Sequence, residues 1–391
     1  GGRNGFSQLF DFKDTNFLFH VDQAYGFVKF PEQELEVRIG RQQYRLGTKM
    51  MLDNNLDGVQ VSYRQQFGLH YAKVSEGLDS LTDNEVEDGD SNVVADGEDA
   101  HLFVATFDNT ANDLNYGVYG TYYKDNGYDD GTTYLPHDLN YFRSRFAPQV
   151  TELFTLGLTG DYAKDALKIV FEANYLVGSD DVDNTAINGI GLTDVNNGDL
   201  SGYNVYVKAD YDVNDKFALG GVFGMGSGDD DVTSGDGNVN KIRTSGFFYL
   251  TEVWEDSIMP DEEGITPQGL GAPNVRGYRE LENTTAFQLN ATVKPIAKWK
   301  LFLSYTYLMA TEEIPAWTSD GTTTTVDYAN AADDIGSEFD YNLSYAVAPS
   351  ATVGVRGGFF MPGDGALNLI NGNTDNDDMA YETKGYLAIR F

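Results

Sequence analysis

The sequence of 391 residues contains no cysteine, only ten prolines and only four histidines. Without cysteine the chain forms neither disulfides nor thiolate metal sites, and it has no cysteine nucleophile. The sequence also lacks a G-x-S-x-G elbow, a phosphate-binding loop and a nucleophile paired with histidine, so it does not indicate an enzyme. The histidines are scattered and do not have the spacing of a zinc site; they are His20, His70, His101 and His137.

Basic residues are scarce as well. The chain has 26 Lys and Arg against 61 Asp and Glu, which gives a net charge of −35. Because proteins bind nucleic acids mainly through Lys and Arg, this balance argues against a nucleic-acid partner. The mean hydropathy is −0.38, and no apolar run approaches the roughly 18 residues that a membrane helix needs. Taken alone, these values would indicate a water-soluble protein.

The residues that are abundant favour a different conclusion. Glycine occurs 43 times, tyrosine 25 times and phenylalanine 24 times. Disordered chains have few aromatic residues, so this chain is expected to fold despite its charge. Glycine and tyrosine at this level are typical of a protein with many strands and turns. Since no linker rich in proline or serine divides the chain, we expect residues 1–391 to form a single domain.

Apolar and polar residues alternate with a period of two in many segments, which is the pattern of a strand with two different faces. In Leu167–Tyr175 one face reads Leu, Ile, Phe, Ala and Tyr, and the other reads Lys, Val, Glu and Asn. The same alternation recurs in Tyr203–Tyr211, Trp299–Met309, Glu338–Val347 and Tyr381–Phe391. These segments are about ten residues long, the length with which a tilted strand crosses a bilayer.

Short and long connections alternate between these segments, as in an up-and-down barrel with tight periplasmic turns and long external loops. The predicted fold class is therefore all-β: a transmembrane antiparallel β-barrel of 16 to 18 strands with acidic extracellular loops. Sandwiches, jelly rolls and propellers also alternate, but they seldom keep such long strands with short turns at one end. The first of sixteen strands is placed near Phe6–Phe12, and further strands could lie in the N-terminal region or within Phe247–Trp254. The short connections are predicted at 31–34, 65–66, 109–112, 163–166, 214–216, 296–298 and 348–350, and the long ones at 46–56, 77–99, 124–151, 178–201, 227–282, 310–336 and 362–378.

The negative charge is concentrated in the long connections. Such runs are usually solvated loops, but clustered carboxylates are also the hard oxygen ligands that Ca²⁺ prefers. No stretch matches an EF-hand loop, and no other cofactor is expected. The candidate calcium ligands are Asp83, Glu85, Glu87, Asp88, Asp90, Asp229, Asp230 and Asp231.

The polar face of the strands carries both signs of charge in near balance. These charges either pair across the wall and solvate the interior, or offer a series of sites to a charged or hydroxylated solute. The predicted pore-lining residues are Arg38, Arg64, Lys168, Glu172, Lys208, Asp210, Lys294, Lys300, Glu338, Asp340, Arg356, Glu382, Lys384 and Arg390.

One region resembles the alginate-export family of outer-membrane barrels. There a strand reading roughly V-G-R-Q leads through a glycine-containing loop into a D-G-V strand, as Val37–Gln42, Gly47 and Leu56–Tyr63 do here. The resemblance implies a passive outer-membrane channel with eighteen strands and a basic constriction that passes an acidic polysaccharide. Lys49 stands where that family tends to carry arginine, so we carry over the architecture and channel role, not alginate. The ending on Phe391 is similar to the C-terminal signal of bacterial outer-membrane proteins.

The function predicted from the sequence is a porin in the bacterial outer membrane, in contact with lipid, through which ions and small hydrophilic solutes diffuse. A monomer is favoured and a trimer is possible. The longest connection, 227–282, is the expected constriction. One alternative is a structural or partner-binding barrel, such as a sheath for a secretion or electron-transfer component; a less favoured one is a barrel hydrolase.

Overall fold

The computed structural model describes residues 23–75, 100–125, 149–182, 198–230, 238–244, 248–258, 281–319 and 324–390. Fifteen strands and one short α-helix account for most of these residues. The strands are β1 (Ala24–Phe30), β2 (Leu35–Leu46), β3 (Leu52–Tyr63), β4 (Phe67–Ser75), β5 (Ala100–Ala111), β6 (Leu114–Asp125), β7 (Gln149–Lys164), β8 (Leu167–Val182), β9 (Gly198–Asn214), β10 (Phe217–Gly226), β11 (Thr284–Val293), β12 (Trp299–Ser319), β13 (Thr324–Ala348), β14 (Ala351–Pro362) and β15 (Ala380–Ile389). The helix α1 (Asp364–Asn371) lies between the last two strands.

The strands form one antiparallel sheet in which spatial order follows chain order from β1 to β15. Each strand pairs with the strands before and after it in the sequence, which confirms the predicted all-β, up-and-down fold class. Among the described residues β1 and β15 are the two edges, each paired with a single neighbour. The predicted strand at Phe6–Phe12 lies outside the described residues.

Within the described ranges, no helix has both the length and the apolar character required to cross a membrane.

The two faces of the sheet are reversed relative to those of a water-soluble protein. On the outward face, Leu69 is 68% exposed and Leu289 is 73% exposed. On the inward face, Glu172 and Glu338 are both 0% exposed. Soluble proteins bury their aliphatic residues and expose their carboxylates. The outward face of this sheet therefore has the composition of a surface that contacts hydrocarbon, and the inward face is polar.

The outward apolar band is tall enough for a bilayer. In β9 it runs from Tyr203 to Val213, with an outward side chain at every second residue. Eleven residues extend about 33 Å along a strand, or roughly 25 Å along the axis of a barrel whose strands tilt by about 40°. Trp299 and Tyr345 pack against each other at one border of this band, with ring centroids 4.9 Å apart. Aromatic pairs are typical of the membrane–water interface.

Seven short turns lie at one end of the sheet, here called the turn end; the opposite end is the loop end. The turns span 31–34, 64–66, 112–113, 165–166, 215–216, 294–298 and 349–350, at or within about two residues of the predicted places. Several turns need left-handed backbone: Asn112 has a φ of 52° and Asp165 a φ of 52°. Asn and Asp tolerate this conformation better than other non-glycine residues.

Four of the seven predicted long connections are shorter than expected, because the strands continue past the apolar band. The connection predicted at 46–56 is reduced to 47–51, and β8 and β9 extend into the one predicted at 178–201. The stretch 310–336 was predicted as a loop, yet β12 and β13 pair there as far as Ser319 and Thr324. Beyond the apolar band one face of this hairpin is covered by α1 instead of facing lipid, and the alternation that identifies a membrane strand is then lost.

Two further expectations are corrected by the structure. The connection 362–378 contains α1, in which Ala366, Leu367 and Leu369 are buried against β12 and β13. No strand is formed by the described residues of Phe247–Trp254; instead residues 248–258 cross the interior and end in a helical turn at 254–258.

Candidate functional site

Two stretches of the long connections fold into the space enclosed by the inward face. One is the inner loop, residues 47–51 between β2 and β3. The other is the inner segment, residues 248–258 between β10 and β11. Met50, Val253 and Trp254 in these stretches are almost completely buried. Both stretches are anchored to carboxylates on the inner wall, and their anchors define the candidate site.

The inner segment is fixed at its centre by Glu338 of β13. The carboxylate of Glu338 accepts hydrogen bonds from the backbone N–H groups of Val253 at 2.6 Å and Trp254 at 2.9 Å. The Trp254 ring stacks on Phe360 of β14, with centroids 5.0 Å apart. A buried carboxylate that accepts two backbone N–H groups forms strong, charge-assisted hydrogen bonds. Glu338 therefore holds the segment at a defined height inside the wall.

Further contacts connect the inner segment to other strands. Phe248 packs edge-on against Tyr206 of β9, with ring centroids 5.0 Å apart. Gln288 of β11 donates from Nε2 to the backbone carbonyl of Leu250 at 2.9 Å. These contacts, together with those to β13 and β14, show that the segment runs through the interior along the wall formed by the second half of the sheet.

The far end of the segment reaches β15. Ser257 donates from Oγ to Glu382 at 2.7 Å, and Lys384 donates from Nζ to Ser257 at 3.1 Å. Glu252 forms an ion pair with Arg356 of β14 at 3.4 Å. Charged residues on the wall are thus compensated by polar groups of the segment.

Glu255 also stabilises the conformation of the inner segment. Its carboxylate accepts the backbone N–H groups of Leu250 at 2.5 Å and Thr251 at 3.1 Å. Burial disfavours the charged form and raises the pKa of Glu255 to about 7, although these hydrogen bonds lower it. The nearby charge of Glu338 acts in the same direction as burial. This carboxyl group therefore titrates near neutral pH.

The inner loop is anchored by Glu172 of β8. One carboxylate oxygen accepts from the backbone N–H and the hydroxyl of Thr48, at 2.6 and 2.8 Å. The other accepts from Asn174 at 2.9 Å and from Tyr119 at 3.1 Å. Gly47 is required beside this carboxylate, because a Cβ there would lie 2.2 Å from a Glu172 oxygen and φ is +52°. The four donors satisfy Glu172 at a fully buried position.

Residues 238–244 fill the loop end of the interior. Lys241 and Glu282 form an ion pair at 3.1 Å with side chains only 5% and 4% exposed. Glu282 also accepts the backbone N–H of Thr244 at 2.9 Å. Ile242 beside them is fully buried. Removing one member of such a buried pair is strongly destabilising, since it leaves an uncompensated charge.

Toward the turn end the interior remains open. A cavity of about 850 Å³ is lined by Thr48, Asp161, Tyr206 and Lys208, among others. A second cavity of about 270 Å³ shares Tyr206 and Lys208 and is bounded on one side by Leu250, Thr251 and Glu252 of the inner segment. The two cavities adjoin the inner segment and offer charged, amide, hydroxyl and aromatic groups to a solute.

Most of the predicted pore-lining residues lie on the inward face of a strand, several in ion pairs. Lys168 pairs with Asp212 at 3.2 Å and Lys208 with Asp210 at 3.3 Å. Arg38 lies over the Phe27 ring at 5.4 Å. The structure thus brings opposite charges together on the wall. Inward strand positions are held by Arg38, Lys168, Glu172, Lys208, Asp210, Lys300, Glu338, Asp340, Arg356, Glu382 and Lys384.

Three predicted residues lie beyond the strand ends. Arg64 is in the turn after β3 with a φ of 56°, and it pairs with Glu34 of the neighbouring turn at 2.7 Å. Lys294 follows β11, and Arg390 follows β15. Alternation continues by chance past the end of a strand, so the sequence pattern could not exclude these positions from the wall.

The calcium candidates are mostly outside the described residues. This applies to Asp83, Glu85, Glu87, Asp88, Asp90 and Asp231. Asp229 and Asp230 are described, and Asp229 accepts the backbone N–H of Asn240 at 3.4 Å. Within the described ranges, no group of three or more His, Asp or Glu residues is arranged to hold a metal ion.

Sequence reasoning missed the residues that face the wall from the connections. Thr48, Met50, Val253 and Trp254 occupy the interior, yet nothing in their local pattern places them there. The one available signal is Trp254, a large aromatic residue in an otherwise acidic connection.

No protein-family model and no curated protein matches the chain, so the resemblance to the alginate-export family stays a prediction. Solved structures with a similar arrangement include OccK5 (OpdH) of Pseudomonas aeruginosa, with 10% identity, 94% of this chain and 81% of that chain covered, and a TM-score of 0.46. OccK8 (OprE) of Pseudomonas aeruginosa has 10% identity, coverage of 93% and 79%, and a TM-score of 0.45. The NanC porin has 9% identity, coverage of 75% and 95%, and a TM-score of 0.29. With such low identities and scores, conclusions about this chain are drawn from its own geometry.

Proposed function

We propose that the chain is a channel of the bacterial outer membrane through which ions and small hydrophilic solutes diffuse. The observation that carries this proposal is the reversal of the two faces: aliphatic and aromatic residues such as Leu69, Leu289 and Tyr305 are exposed, while carboxylates and amides are enclosed. In hydrocarbon every backbone group must be hydrogen bonded within the protein, and long antiparallel strands do this when their sheet closes into a barrel. The turn end then faces the periplasm and the loop end faces the outside.

The inner segment and the inner loop are the constriction of this channel. Both cross the polar interior, and both are held by buried carboxylates, Glu338 and Glu172. The cavities beside them, about 850 and 270 Å³, have room for small solutes but not for a folded macromolecule. Ion pairs such as Arg356 with Glu252 compensate charges along the path, so we expect weak selectivity between anions and cations.

The alginate-export resemblance is retained for the architecture and the passive channel role. An acidic polysaccharide is not the expected solute, because cations on the path are compensated and the long connections are acidic. Negative mouths repel anions over a screening length of about 8 Å at physiological salt. As in the sequence-based prediction, we propose a monomer.

The proposal is tested with the full chain folded in detergent and reconstituted into planar bilayers. We expect stepwise, ohmic current increments in KCl. Heat modifiability on a gel provides the control that the protein is folded. Folded protein that inserts but carries no current would overturn the open-channel proposal.

A second function is favoured by one observation, the dense packing of the loop-end interior by residues such as Met51, Ile242 and Leu281. A barrel that serves as a sheath for a partner, rather than as a channel, would have a filled interior. This alternative predicts no current from the isolated chain and a second polypeptide that co-purifies with it from the native membrane.

A further inference from the structure

The outward face carries a row of charged residues near the loop end of β2 to β7. The row consists of Arg41, Asp57, Lys73, His101, Lys124 and Glu152, each directly opposite the next on the neighbouring strand. Directly opposed side chains have their Cβ atoms about 5 Å apart. Lys124 forms an ion pair with Glu152 at 2.9 Å, and Arg41 forms one with Asp57 at 3.2 Å. With three basic residues and two carboxylates, the row has a net positive charge before His101 is counted.

This row is unusual within the molecule. In β9 to β15 the sequence places Lys and Arg at Lys208, Lys300, Arg356 and Lys384 alone, and all four lie on the inward face. The outward face of those strands is therefore without basic residues. Three outward basic residues in one row, in a chain with a net charge of −35, distinguish the loop end of β2 to β7 from β9 to β15.

An apolar groove lies directly below the row, on the same outward face. Its cavity volume is about 740 Å³. The upper walls are Tyr71, Phe103, Tyr122 and Phe154, whose neighbouring rings are 5.2, 6.2 and 4.6 Å apart in that order. The lower part widens because Ala105 and Gly120 replace large side chains there. Aromatic walls, a floor of small residues and a cationic rim form a site for a molecule with a hydrocarbon chain and an anionic head.

We propose that this groove binds a phosphorylated, multiply acylated lipid of the outer leaflet, with an acyl chain along Ala105 and Gly120 and a phosphate at Lys73, His101 and Lys124. The inference rests on the proposed location of the chain in the outer membrane. Cations near the loop end of the wall lie at the depth of outer-leaflet head groups, where each adds to the attraction for an anionic lipid. The tyrosine hydroxyls at the border suit the same depth: Tyr71 is hydrogen bonded to His101 at 3.0 Å, and Tyr122 donates to Glu152 at 3.2 Å.

The experiment measures retention of bisphosphorylated lipid A by the folded full chain in detergent, using native mass spectrometry and a fluorescent lipid A competition assay. The wild-type chain is expected to bind one lipid A, and dephosphorylated lipid A is expected to bind more weakly. Replacing Lys73 and Lys124 together by Ser should weaken binding about 30-fold, from roughly fivefold for each lysine. Millimolar inorganic phosphate should not displace the lipid, since it lacks the acyl chain.

The groove itself is tested with Gly120→Leu. A Cβ at Gly120 meets only the Thr155 carbonyl oxygen at 3.9 Å, so the substitution fits the fold and fills the groove. The matched control is Gly221→Leu on the outward face of β10, where a Cβ would also meet only ordinary contacts, at 3.6 and 4.0 Å. We expect Gly120→Leu to lose the bound lipid A and Gly221→Leu to retain it.

Equal retention by Gly120→Leu and Gly221→Leu, or equal binding of phosphorylated and dephosphorylated lipid A, would overturn the inference. Planar-bilayer current is recorded for the same variants. Because none of these residues lies in the interior, unchanged current with lost lipid separates this site from the proposed channel function. A chain that binds lipid A as proposed but carries no current would refute the channel alone.

Discussion

The loop-end half and the turn-end half of the interior differ sharply, although the same strands form the wall of both. At the loop end, apolar side chains such as Leu102, Leu176 and Leu308 point inward and pack against the inner loop and residues 238–244. At the turn end, the inward side chains are charged and hydrated; Lys168 and Asp212 keep 57% and 46% of their side-chain surface exposed. The inward residues of the wall therefore differ between the halves. The interior is filled where apolar wall residues meet connections that fold inward, and it is open where the wall is charged.

The largest expected effect comes from removing Glu338, the carboxylate that anchors the inner segment. In Glu338→Ala the backbone N–H groups of Val253 and Trp254 lose their acceptor. A buried donor left without a partner costs about 1–3 kcal/mol, so the inner segment should be displaced and the single-channel conductance should rise. Asp210→Ala is the control, because Asp210 is an inward carboxylate paired with Lys208 rather than with the segment. Equal conductance in Glu338→Ala and the wild type would contradict the assignment of the segment as constriction.

A smaller effect is expected from pH, through Glu255. Its pKa is raised in the folded chain to about 7 from an ordinary value of 4.5. A carboxyl with a raised folded pKa contributes stability that is fully present below pH 4.5 and is lost as the pH rises through about 7. Hydrogen exchange at the amides of residues 250–258 should thus accelerate between pH 5 and pH 8 beyond its intrinsic increase.

The matched variant for this measurement is Glu255→Gln, which cannot ionise. In this variant the exchange of residues 250–258 should rise with pH only by the intrinsic amount, while exchange in β9 stays as in the wild type. If Glu255→Gln keeps the same pH response, another group is responsible for it.

The smallest effect concerns ion selectivity at the turn end. Arg356→Glu places a negative charge beside Glu252 on the path and should shift the reversal potential in a KCl gradient toward cation preference. Arg64→Glu should shift it less, because Arg64 lies in a turn paired with Glu34 and more than half of its side chain is exposed. Arg38→Glu, in β2 next to the edge strand β1, serves as the intermediate case. A larger shift for Arg64→Glu than for Arg356→Glu would show that the turns, not the constriction, control selectivity.

The wall could be predicted from the sequence because its physical cause is local. A strand between hydrocarbon and water must alternate, so Leu167–Tyr175 reveals both its conformation and its inward residues, Lys168 and Glu172, without any distant information. The turns were predicted for the same reason, since Pro, Asn and Asp favour tight turns by their own backbone preferences. Arg64 lies one residue past the end of β3, in a turn, and from there it still lines the cavity of about 850 Å³.

The connection 227–282 was predicted to enter the interior from its length alone, but its contacts could not be predicted, because they join residues far apart in the chain. Glu338 is 85 residues from Val253, and Glu172 is 124 residues from Thr48. No periodicity reports which carboxylate will accept a backbone N–H from a connection. The helix α1 is different: Ala366, Leu367 and Leu369 follow Gly363 and Asp364 with helical spacing, a signal that could have been found.

The directions of the two edge strands have a consequence for how the wall is completed. β1 runs into the turn at 31–34, and β15 ends opposite Ala351, just after the turn at 349–350, so both strands run from the loop end to the turn end. Two strands that run in the same direction cannot be antiparallel partners. A closed sheet in which all neighbours are antiparallel has an even number of strands. The fifteen described strands are one short of this, and the further strand would run from the turn end to the loop end. The strand predicted at Phe6–Phe12, which lies outside the described residues, would have that direction and would bring the number of strands to the predicted sixteen.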